Sequence, residues 1–144
     1  RSTLFPYTTL FRSGSAGWVP VHPDGFESRQ VKDIYVLGDA TIAAPMPKSG
    51  FVANVQGRMA AGVIAADLTG QPCPKPTYVN ICYSLVAPGY AISVSGLYEA
   101  KDDQLVELPG LGTSPLDADA AYRAQEASNS MGWYESISTE IWDQ

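Results

Sequence analysis

The chain has 144 residues, and fifteen Asp and Glu against nine Lys and Arg give a formal net charge of −6. An acidic balance without a Lys/Arg cluster excludes a nucleic-acid surface, and no apolar run approaches a membrane-spanning helix of roughly 20 residues, so membrane insertion is not expected. One histidine cannot build a metal centre, and the spacing of Cys73 and Cys82, the two cysteines, with no added ligands is not a zinc pattern, so no metal site is expected.

Thr3 to Ser13, TLFPYTTLFRS, resembles the translation of a sequencing-library adapter. Residues 1–13 are therefore set apart as non-native, and the authentic chain is expected to begin near Gly14 with its own start missing. Without Arg1 and Arg12, seven basic residues face fifteen acidic ones, a net charge of −8. That charge suits docking to a basic protein partner.

Trp18 to Val21 is a short apolar piece ended by the turn signal His22-Pro23-Asp24-Gly25, which makes His22 a loop residue. Ile34 to Leu37 is an unbroken apolar run, the pattern of a strand buried on both faces. It breaks at Gly38-Asp39-Ala40, and after Pro45 and Pro47 the pair Ser49-Gly50 opens a helix. There Val52, Val55, Met59, Val63 and Ile64 recur at helical spacing, and Gly70 is the natural stop. A strand that delivers a carboxylate at its carboxyl end, followed by a helix whose N-terminus faces the same crevice, is where open α/β sheets bind ligands.

Gln71 to Pro76 holds three prolines in six residues and reads as a stiff linker between two regions, 14–70 and 77–144. Thr77–Val86 and Tyr90–Tyr98 are β-rich and flank Ala87-Pro88-Gly89, so a hairpin is expected. In the second strand Ala91, Ser93 and Ser95 alternate with Ile92, Val94 and Gly96, one face small or polar and the other mostly apolar. Lys101-Asp102-Asp103 is a turn, Gln104–Leu108 a third short strand, and 109–115 a loop. Asp117 and Asp119 then introduce an Ala-rich helix through Met131, with Gly132 expected to break it before Trp133-Tyr134.

The Gly38-Asp39 strand end, with the run P-K-S-G-x-x-A-N-x-Q-G from Pro47 to Gly57, resembles the second FAD-contacting motif of glutathione-reductase-like flavoproteins. The resemblance implies that Asp39, presented by Gly38, holds a ribityl hydroxyl of FAD. It also implies that the helix opened by Ser49 and Gly50 aims the amides around Phe51 and Val52 at the flavin N1 and C2 carbonyl. A helix N-terminus carries partial positive charge and stabilises an anionic reduced flavin. Lys48 either adds to that charge or is solvated, the commoner fate of a lysine.

The stretch TYVNICYSLVAPGYAISVSGLYEA, from Thr77 to Ala100, and the later Trp133-Tyr134 pair resemble the flavoprotein subunit of flavocytochrome c sulfide dehydrogenase. The implied fold is α/β: the C-terminal part of a two-dinucleotide-domain flavoprotein, the closing strand and helix of the FAD domain followed by an α+β C-terminal domain. The implied activity is oxidation of sulfide through a redox disulfide and FAD, with electrons passed to a c-type cytochrome subunit in the periplasm. Cys82 would be one half of that disulfide, its partner lying in upstream sequence, and Trp133 would pack either at the flavin or in the core. Cys73 is outside the family pattern.

Sulfide:quinone oxidoreductase shares this logic but delivers electrons to membrane quinone. The segment after Arg123 has no Lys or Arg and makes a poor membrane-surface helix. A noncatalytic interaction module is the other alternative. With no G-x-G-x-x-G phosphate loop and no second redox cysteine, the chain alone is expected to be inactive.

Overall fold

The computed structural model describes residues 17–73 and 76–143. The adapter-like segment and two residues of the proline-rich linker lie outside the described residues. The element order is β1 (Val19–Pro20), a 3-10 turn (Gly38–Ala40), β2 (Thr41–Ile42), α1 (Gly50–Thr69), β3 (Thr77–Ala87), β4 (Tyr90–Lys101), β5 (Gln104–Leu108) and α2 (Ala120–Trp142). The chain is mixed α/β. Two compact units form: one takes the chain up to Asn80 together with Gly96–Pro109, the other Ile81–Ser95 with Gly110 onward.

In the first unit β1 and β2 pair in parallel, Val19 opposite Thr41. Its core joins Val19, Val21, Phe26, Met46, Val52, Tyr78 and Tyr98, with Val36, Val55, Met59 and Leu105 packed against them. Tyr78 anchors it. Its ring meets Phe26 edge-on at 5.3 Å, and its hydroxyl donates to the Pro23 carbonyl at 2.6 Å, which gives a buried phenol the partner it needs. Burial and the nearby Asp24 charge push the Tyr78 phenol up. Ser49 caps α1 by accepting from the Val52 amide at 3.1 Å, and Gly70 ends it in the left-handed conformation at φ 67°. Of the bulky side chains expected along α1, Val52 is buried and Val55 and Met59 pack on the core, and Gln56, only 1 % exposed, is buried on the same helix.

The expected first strand is corrected. Ile34–Leu37 is not a buried strand: only Tyr35 forms a bridge, to Glu27, and Ile34 and Leu37 are 40 % and 37 % exposed. The segment is held along one side, by Ser28 N–H to the Ile34 carbonyl at 2.7 Å and Val36 N–H to the Phe26 carbonyl at 3.0 Å. An apolar run becomes a central strand only when both edges are paired and both faces covered, and among the described residues only 26–28 pair with it.

Strands β3, β4 and β5 lie in that order in one sheet. The turn into β5 uses Asp102 and Asp103 at φ 51° and 60°, conformations that Asp tolerates and two-residue hairpin turns require. The register sets Lys101 against Gln104 and Leu97 against Leu108. His22 is tied to this turn: its Nδ1 lies 3.3 Å from Asp103 Oδ1, while Arg29 donates to Asp103 Oδ2 at 2.6 Å.

The second unit is organised by a buried carboxylate. Glu126 Oε1 accepts from Ser93 Oγ and Ser114 Oγ, both at 2.6 Å, and its Oε2 lies 3.3 Å from Arg123 Nη1. These bonds join β4, the 110–119 loop and α2. Asp119 caps α2 by accepting from the Tyr122 amide at 2.8 Å. The helix does not break at Gly132 but runs to Trp142. A helix-interior glycine costs about 1 kcal/mol relative to Ala, a deficit that the helix-forming residues on either side absorb. No helix among the described residues is long and apolar enough to cross a membrane.

Burial acting alone would raise the Glu126 carboxyl, but hydrogen bonds from Ser114, Ser93 and Arg123 hold it below its ordinary 4.5. A depressed folded-state value means stability that is full above about pH 4.5 and lost as pH falls through the lower folded value. Glu126→Gln is therefore expected to lower stability at pH 7 and to flatten its loss below pH 4.5, read by urea unfolding across an acid series.

Candidate flavin site

The site begins where the apolar run stops. Gly38 takes φ +65°, and a Cβ built on it would lie 3.2 Å from the Ala53 Cβ, so glycine serves both the turn and the close approach of α1. Its N–H donates to Gln56 Oε1 at 2.6 Å, and its carbonyl accepts from Thr41 Oγ1 at 2.8 Å. With Gly38 fixed at both ends, the next residue is carried outward. Asp39 is exposed, and its carboxylate takes part in none of the ion pairs or side-chain hydrogen bonds among the described residues.

At the start of α1, Ser49 Oγ accepts from the Val52 amide and donates to Asn80 Oδ1 at 2.9 Å. The Val52 amide is thus consumed by the cap and its side chain, 2 % exposed, by the core. Phe51 is half-buried and Gly50 exposed at the helix mouth. Lys48, just ahead of the cap, donates to the carbonyls of Asp39 and Thr41, and its Nζ stands 4.3 Å from the Trp18 ring centroid. Lys48 and Trp18 border a cavity of about 320 Å³ with walls from Ile42, Ala43, Met46 and Pro47.

In the second unit Cys82 lies half-buried in β3; Cys73, in the first, is exposed. Ile81 and Tyr83 line a cavity of about 240 Å³ together with Ser93, Ser95, Glu126 and Asn129. Strand alternation therefore turns Cys82 to the opposite face, away from α2. Ile92 and Val94 alternate with the serines and share that face, 37 % and 49 % exposed. Burial first, and the Glu126 charge second, raise the Tyr83 phenol. Trp133 is half-buried within α2.

Residues 74–142 match the family model described as flavocytochrome c sulphide dehydrogenase, flavin-binding. Over these residues the chain is similar to that family. The cofactor it binds is a flavin, consistent with FAD. The hairpin bearing Cys82, the Glu126 cluster and Trp133 all fall within the matched residues. The first unit's residues fit such a group by their chemistry. An exposed carboxylate that accepts from no side chain suits the hydroxyls of a ribityl chain, and the N-terminal amides of α1 suit an electron-rich pyrimidine edge.

Sequence reasoning missed three members of this arrangement: Gln56, Asn80 and Glu126. Gln56 carries a readable signal, since it stands four residues after Val52 on the apolar stripe of α1, where a polar residue must find an internal partner. Replacing Gly38 by Ala forces a side chain into the left-handed region and against Ala53. A loss of about 1–2 kcal/mol is expected, measured by thermal unfolding, with Gly112→Ala, where an added Cβ meets nothing within 4 Å, as a near-neutral control.

Proposed function

We propose that this chain is part of a sulfide dehydrogenase in which sulfide is oxidised through a disulfide and FAD, with electrons passed to a c-type cytochrome. The observation that carries the reading is the flavin-binding family match over residues 74–142, which includes the N-I-C-Y-S segment of β3. The fold implied is the glutathione-reductase-like one, with the Gly38-Asp39 end and α1 closing its FAD domain.

Each group has a task. Asp39 holds a ribityl hydroxyl, Gly38 positions it, and the mouth of α1 from Ser49 to Val52 presents positive dipole to the pyrimidine edge. Cys82, disulfide-bonded to a cysteine outside these 144 residues, receives the substrate. Hydrosulfide attacks one sulfur of the bridge, forming a new S–S bond to give a persulfide on that cysteine and expelling the other as thiolate. A second hydrosulfide takes the outer sulfur of the persulfide and leaves two thiolates, whose closure back to the disulfide would release the electron pair to a bound flavin. The flavin supplies the two-electron acceptor that can return electrons singly to a haem. Trp133 packs beside it. The periplasm is the compartment the family resemblance implies, and the chain by itself, without a G-x-G-x-x-G loop, is read as inactive.

The test uses the complete gene from the source DNA, expressed with its neighbouring cytochrome gene. Sulfide is expected to bleach the flavin of the wild type rapidly and that of Cys82→Ser hardly at all. Equal bleaching in both would remove Cys82 from the redox path.

A further inference from the structure

Lys48 is held more tightly than a surface lysine needs to be. A free ammonium is strongly hydrated and its side chain carries about 2 kcal/mol of rotamer entropy. Here it is pinned from three directions: the carbonyls of Asp39 and Thr41 accept from it, and Trp18 presents its ring face. None of the ion pairs among the described residues involves Lys48. Carbonyl dipoles and a ring quadrupole orient a charge without cancelling it. The result is a fixed positive charge bonded to the backbone of Asp39, one residue ahead of the cap of α1, where the helix dipole has the same sign.

Resting on the flavin reading above, we infer that Lys48 is a positioning residue that sets the reduction potential of the flavin, its ammonium favouring the anionic reduced form. The clamp itself is evidence for a fixed location, since a lysine that merely aided solubility would extend into water. Trp18 belongs to the device: it is the wall that keeps the ammonium from swinging away.

The experiment measures the two-electron midpoint potential of the flavin-loaded protein expressed from the complete gene, by dye equilibration, and the affinity of its oxidised flavin for sulfite, an anion that adds to electron-poor flavins. Lys48→Met is expected to lower the equilibrium constant for reduction about tenfold, a fall of about 30 mV, and to weaken sulfite binding about tenfold. Lys48→Arg should stay near wild type. Lys32→Met, which removes an equal charge at an exposed site elsewhere, should also leave both readouts unchanged. Equal potentials for wild type and Lys48→Met overturn the inference alone. A wild type that loads no flavin overturns the flavin reading and the inference with it.

Discussion

The hydroxyl of Ser49 is the point on which the first unit turns. It accepts from the Val52 amide and donates to Asn80, so one atom both ends a helix and ties it to β3. Asn80 is 1 % exposed, and a buried amide without such a partner would cost on the order of 1–3 kcal/mol. The helix mouth is therefore held in a fixed place relative to the strand. Gln56 makes the matching connection one turn further on, from inside α1 to the Gly38 amide at 2.6 Å. Between them these two polar side chains fix the crevice wall from which Asp39 projects.

The second unit solves the equivalent problem with a charge. Glu126 is 6 % exposed and Arg123 4 %, yet the carboxylate is satisfied by two hydroxyls and a guanidinium. Its removal would leave buried donors unpaired, which is the costly outcome for such clusters. The cluster occupies one face of the hairpin, and that is why Cys82 looks the other way. On that other side of β4, Ile92 and Val94 are partly exposed.

Elements with local causes were legible in the sequence. Ser49 and Gly70 bound α1 because capping chemistry is local, and the hairpin and β5 followed from turn residues at fixed offsets. Ile34–Leu37 was misleading because its apolar character specifies burial but not the neighbours that provide it. Gly132 was misread as a stop because propensity is a weak prior against the rest of a long helix. Of the polar members of the site, Gln56 shows only as a polar break in the apolar stripe of α1, while Asn80 and Glu126 have no periodic signature, since their partners lie 31 and up to 33 residues away in the chain. Lys48 was readable as a residue but not as a clamped charge, because the clamp depends on Trp18, 30 positions before it.

The central claim is that flavin lies against the Gly38-Asp39 end and the mouth of α1. A crystal structure of the flavin-loaded protein expressed from the complete gene tests it most directly. The account predicts a ribityl hydroxyl within about 2.6–3.2 Å of the Asp39 carboxylate, with the pyrimidine edge at the first turn of α1. A flavin bound elsewhere, with Asp39 in solvent, would contradict it.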